Sequence, residues 1–89
     1  KYLDFLRDHY YNDDNISPRD QVRLSLAAYN AGPAKIRRAR ELTAKMGLNP
    51  NKWFRNVELA ALRIIGQETV RYVSNINKYY VLYSILTPK

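Results

Sequence analysis

Residues 17–33 read SPRDQVRLSLAAYNAGP, a helix written with both of its ends. Ser17 is an N-cap residue, and Pro18 suits the first helical position, where no intrahelical amide is lost. Asp20 sets a negative charge against the positive end of the dipole. Val22, Leu26 and Tyr29 recur at i, i+4 and i+7, and Ala27, Ala28 and Ala31 offer small surfaces where another backbone can come close. The run must stop at Asn30-Ala31-Gly32-Pro33, because glycine supplies a left-handed cap and proline cannot continue the helix, although it can open the next one.

Working outward, the same punctuation recurs. After Pro33 a helix is predicted to Met46, with Ile36, Ala39, Leu42 and Met46 inward, Lys35, Arg37, Arg38, Arg40 and Lys45 crowding the rest, and Gly47 as its stop. LNPNKWF forms a turn into a short helix predicted over Trp53 to Ile65, which Gly66 breaks. The last helix, Gln67 to Leu86, carries Val70, Val73, Ile76, Tyr80 and Tyr83 on one stripe and Tyr72, Tyr79, Leu82 and Leu86 on another, so burial on more than one side is expected. Before residue 17, Lys1 to Tyr11 places Tyr2, Leu3, Phe5, Leu6 and Tyr10 at helical spacing, opposite Asp4, Arg7 and Asp8, and ends at the turn-forming NDDN. No alternating period-two run argues for a strand. The fold class expected is all-α, about four or five helices.

The chain has 89 residues, 46% hydrophobic and 26% charged, which bounds it to one small domain and excludes disordered and collagen-like classes. No apolar run approaches the roughly 18 to 20 residues of a membrane span. Zero cysteines exclude disulfides, zinc fingers and thiol catalysis, and a single histidine cannot build a metal site, so neither metal nor cofactor is expected. Fifteen basic against eight acidic residues give +7, which points to polyanionic surroundings: nucleic acid, anionic lipid or an anionic wall polymer. Eight tyrosines supply apolar bodies with hydroxyls that can meet a polar ligand such as a sugar.

The familiar catalytic constellations are missing. His9 stands on a helix among surface charges, where a solvated histidine is far commoner than a triad base. The Asn12-Asp13-Asp14-Asn15 cluster lacks the central glycine and closing glutamate of a calcium loop. Glu41, Glu58 and Glu68 show no spacing that sets two acids across a glycosidic bond, and read as surface charges or helix-end ligands.

SLAAYNAGP at 25–33, followed by KIRRARELTAKMGLNPNKW at 35–53 and ETVRYVSNINKYY at 68–80, resembles the second half of the lytic transglycosylase domain of the soluble-lytic type. Within that family the pattern is most similar to membrane-bound lytic murein transglycosylase F and its relatives. The resemblance covers essentially all 89 residues but only the C-terminal part of the family's domain. It implies the helical lobe of a lysozyme-like fold, incomplete here, whose catalytic N-terminal half lies elsewhere. The family's glutamate-serine pair and Gly-Leu-Met-Gln motif do not occur, so no catalytic residue is expected in this chain. Ala34 also stands where the family often has glycine.

The activity the resemblance implies is cleavage, without water, of the β-1,4 bond between N-acetylmuramic acid and N-acetylglucosamine in peptidoglycan, leaving a 1,6-anhydro product. The expected partner is the glycan strand, in the periplasm or cell envelope, with membrane contact only through parts outside this chain and self-association where the missing half would dock. Tyr29, Asn30 and Tyr72 are expected to line one wall of the glycan groove as substrate-binding residues. Taken alone, Asn30 reads as a helix-end amide and Tyr72 as a packing ring. The rival class is a basic helical module for nucleic acid or another polyanion, resting on Lys35 to Arg40. Gly32-Pro33 is a sharp connection, and the following helix offers arginines rather than a mixed base-reading face, so no nucleic-acid partner is expected.

Overall fold

The computed structural model describes residues 2–86, apart from the side chains of Asn77 and of residues 79–86. The described residues are all-α: α1 (Tyr2–Leu6) continues through a wide turn (Arg7–Tyr11), followed by α2 (Pro18–Ala31) and α3 (Pro33–Lys45). A second wide turn (Trp53–Val57) leads into α4 (Glu58–Ile64), and α5 (Gln67–Leu86) closes the order. The predicted placements of Tyr79, Tyr80, Leu82, Tyr83 and Leu86 lie outside the described side chains.

α2 is the central element, with α1, α3 and α5 packed around it. Its start is the one expected: the Asp20 amide donates to Ser17 Oγ at 3.2 Å, with Pro18 in the first turn. Leu24, Ser25, Leu26, Ala27 and Ala28 are buried, whereas Val22 is half-buried and Tyr29 exposed. Leu24, outside the 22/26/29 spacing, is fully buried, because α2 has neighbours on several sides. Two helices meet at one residue: the Gly32 amide donates to Ala28 O at 2.7 Å while Gly32 O accepts the Ile36 amide, with Gly32 at φ 98°. A Cβ would be strained in that conformation.

α3 buries Ile36, Ala39 and Thr43, with Leu42 and Met46 packed at the margin of the core. The Thr43 hydroxyl is satisfied by Ala39 O at 2.7 Å. Gly47 ends the helix at φ 77°, its own amide donating to Ala44 O and the Leu48 amide to Thr43 O.

Two stretches depart from the predicted helices. The first helix was expected to present Tyr10 inward, yet Tyr10 is 46% exposed and Tyr11 only 2%. The wide turn after Leu6 sets the next inward side chain five residues on instead of four, so burial passes from Tyr10 to Tyr11. The helix expected from Trp53 begins only at Glu58, because Phe54 is extended (ψ 128°) and Arg55 left-handed (φ 63°). Glu58 Oε1 accepts the Arg55 amide at 3.0 Å, and Lys52 O accepts the Val57 amide. Glu58 is thereby a helix-end ligand, as its position suggested.

Trp53 is the largest fully buried side chain. Asp20, itself buried, reaches across 33 positions to accept the Trp53 amide on Oδ1 at 3.0 Å, and Arg23 donates to the same oxygen at 3.3 Å. The carboxylate that opens α2 therefore also seats the tryptophan on which α3 and α4 converge.

Candidate functional site

The C-terminal turn of α2 lies against the first turns of α5. The junction is specific: the buried Thr69 hydroxyl donates to Asn30 Oδ1 at 2.6 Å. With its oxygen engaged, the exposed Asn30 amide keeps its NH2 group for an external acceptor. Tyr72 follows Thr69 by three positions and so lies one turn along the same side of α5. Its ring is partly buried against the core, as is Val70, and Val73 is fully buried.

Tyr29 is 53% exposed and turns the other way, its ring 5.9 Å from Tyr2 on α1. The structure brings Asn30 directly to the Thr69–Tyr72 stretch of α5, and lays Tyr29 on the α1 side of the same helix end. Tyr2, Phe5, His9 and Tyr10 continue from Tyr29 as a chain of neighbouring rings 4.6 to 6.2 Å apart.

Sequence reasoning passed over Thr69. Its place three positions before Tyr72 sets it on the same side of α5, but nothing in its residue type marks it as a partner of Asn30. It also passed over a cleft of about 370 Å³ on another face, lined by Tyr10, Tyr11, Pro33, Ala34, Arg37 and Arg40. Burial pushes the Tyr11 hydroxyl up to about 12, with the nearby Arg40 guanidinium opposing the shift. That phenol stays protonated, a hydrogen-bond donor, across any physiological pH. Among the described residues no group of three or more His, Cys, Asp or Glu side chains is placed to hold a metal ion, and no helix is long and apolar enough to cross a membrane.

No protein-family model matches the chain. A protein of Pseudomonas fluorescens (strain Pf0-1) is 35% identical over 101 aligned positions, which take in 98% of this chain and 20% of that protein. One from Desulfosudis oleivorans is 35% identical over 92 positions, covering 89% of this chain and 20% of its own length. A third, from Pseudomonas putida (strain F1), is 33% identical over 90 positions, covering 84% and 18%. The chain is thus similar, over nearly all of its length, to one segment of the lytic murein transglycosylases. All three relatives are named membrane-bound lytic murein transglycosylase F. The chain spans about a fifth of the length of these curated relatives.

Proposed function

We propose that these residues form part of a peptidoglycan lytic transglycosylase, in the bacterial cell envelope on the periplasmic side, and supply one wall of its glycan groove. The observation that carries this reading is the similarity along nearly the whole chain to proteins bearing that name. The Asn30–Thr69 junction supports it, because it presents an oriented amide beside Tyr72.

The reaction needs one carboxylic acid to protonate the leaving oxygen of the scissile bond and then, as carboxylate, to take the proton of the C6 hydroxyl while the 1,6-anhydro ring closes. Segments outside these residues, the N-terminal half of the domain, supply that acid. The role of this chain is positional. Asn30 donates from its free NH2 to a sugar hydroxyl or acetamido oxygen, and the Tyr72 hydroxyl orients the reacting sugar. Tyr29, turned toward Tyr2, is not part of that wall. Exposed apolar side chains on α1 (Tyr2, Phe5) and α4 (Leu59, Leu62, Ile64) are the surface that the rest of the domain covers. The isolated chain accordingly lacks lytic activity and self-associates at high concentration.

The test is release of anhydro-muropeptides by the parent protein. Asn30→Ala lowers turnover by roughly ten- to a hundredfold with little loss of stability, as expected when positioning rather than the acid is removed. Tyr72→Phe tests the hydroxyl while keeping the ring. Full activity in both variants overturns the assignment of the groove. Salt-dependent binding of duplex DNA, with no affinity for chitotetraose, would favour the basic-module reading.

A further inference from the structure

We infer that the cleft between the wide turn after α1 and the first turns of α3 is a binding site for a carboxylate carried on a short peptide. Its six lining residues, Tyr10, Tyr11, Pro33, Ala34, Arg37 and Arg40, include two guanidinium groups and two phenols and no acid. Every charged group facing the space is a hydrogen-bond donor, which favours an anion and disfavours a cation.

The two arginines are prepared differently. Arg40 is fixed, donating through Nε to Pro50 O and through one terminal nitrogen to Asn51 Oδ1, both at 2.9 Å, with its guanidinium 5.8 Å from the centre of the Tyr11 ring. Two of its five N–H groups are engaged, so the remainder is held in place with little ordering entropy left to lose. Arg37 lies one turn earlier on the same face of α3, is exposed, and has no ion-pair or hydrogen-bond partner among the described residues. Like charges three positions apart on a helix repel mildly, and an anion seated between them removes that repulsion. Tyr11 lines the opposite wall, and its protonated phenol sets no negative charge against an anion.

Volume and wall chemistry narrow the ligand. A space of about 370 Å³ is larger than a bare inorganic anion needs and falls in the range of small-molecule pockets. Pro33, Ala34 and the tyrosine rings give it apolar walls suited to the aliphatic stem that carries a carboxylate. The inference rests on the lytic transglycosylase reading and deepens it: peptidoglycan carries short peptides with free carboxylates, and this cleft takes the peptide while the Asn30 side takes the glycan.

The experiment titrates the 89-residue chain by calorimetry at low salt with the tripeptide L-Ala-γ-D-Glu-L-Lys. Its carboxamide form, inorganic phosphate and chitotetraose serve as separate arms. The tripeptide should bind, the carboxamide at least tenfold more weakly, and Arg37→Gln should weaken the tripeptide by about tenfold, the scale of one charge-assisted hydrogen bond. Lys45→Gln, the same charge change at the far end of α3, should leave it unchanged, and Arg37→Gln should leave chitotetraose unchanged. Equal losses in the two variants, equal affinity for the carboxamide, or phosphate binding as tightly as the tripeptide would each overturn the site. Chitotetraose binding that Asn30→Ala weakens, with no tripeptide binding, would sink this inference and leave the glycan reading standing. The reverse pattern would sink the glycan reading.

Discussion

The two wide turns, Arg7–Tyr11 and Trp53–Val57, interrupt predicted helices by opposite means. The first is a slip in burial. Tyr10 and Tyr11 are chemically identical neighbours, and the chain widens by one residue so that the second reaches the core while the first lies among exposed rings. The second is a polar lock. Its Trp53 amide is bound by Asp20, its Arg55 amide by Glu58, and the Asn49 amide by Asn56 Oδ1. An apolar slip leaves almost no mark in a sequence. A polar lock leaves hydrogen-bonding residues behind, although their partners can stand far along the chain.

The largest effect that would test this contrast is loss of the lock's remote anchor. Asp20→Ala strips the buried Trp53 amide of its acceptor, Arg23 of one of its partners and α2 of an acidic first turn, and should cost about 3 to 4 kcal/mol in urea unfolding. Asp20→Asn keeps one acceptor oxygen and should cost about half as much. A cost below about 1 kcal/mol for the alanine variant would mean the turn holds without its anchor.

Next in size is the tyrosine pair. Tyr11→Ala should cost about 3 kcal/mol, on the scale of emptying a buried aromatic site, and Tyr10→Ala less than about 0.5 kcal/mol. Equal costs would show that burial does not pass from one ring to the next as described.

Alkaline pH sharpens the same point without removing a ring. Burial raises the Tyr11 hydroxyl from 10.0 to about 12, so the folded state holds the proton more tightly than the unfolded chain does. The associated stability is fully present below pH 10 and is lost as the pH rises from 10 through about 12. Tyr11→Phe has no such hydroxyl, and its stability relative to the parent chain should improve over that window and no other. A constant difference across pH 9 to 12 would contradict the burial.

The smallest effect concerns Arg55, exposed and left-handed at φ 63°. Arg55→Gly relieves the Cβ clash at the expense of a freer unfolded chain and should gain about 0.5 to 1 kcal/mol. A loss would mean that the arginine side chain itself supports the turn.

Legibility in the sequence follows the reach of each interaction. Ser17, Pro18, Gly32 and Gly47 act within one helical turn, and all four could be read directly. Asp20 could be read as a dipole acid but not as the seat of Trp53, because that partner is 33 residues distant. Asn30 was legible as a helix-end amide beside α5, while Thr69, which orients it, was not: a buried hydroxyl on a helix carries no pattern of its own. Tyr29 was expected to share one groove with Asn30 and Tyr72, but its ring meets Tyr2 on α1, a neighbour that helical spacing alone does not reveal. Arg37 and Arg40 read as a solvated basic stripe, and only the arrival of Tyr11 from α1 turns part of that stripe into a cleft wall.

Gly32, finally, makes the elbow between α2 and α3 a joint with two rotatable angles. α3 is 13 residues long, about 20 Å at the usual rise, so a change of 10° at that joint would sweep its far end by about 3 Å. Such leverage would spoil any groove or cleft built on both helices unless the far arm were braced. Arg40, tied to Pro50 and Asn51, is a strut partway along that arm. Its removal would therefore register first as a loss of angular precision between the two helices, at a distance from the site of the change.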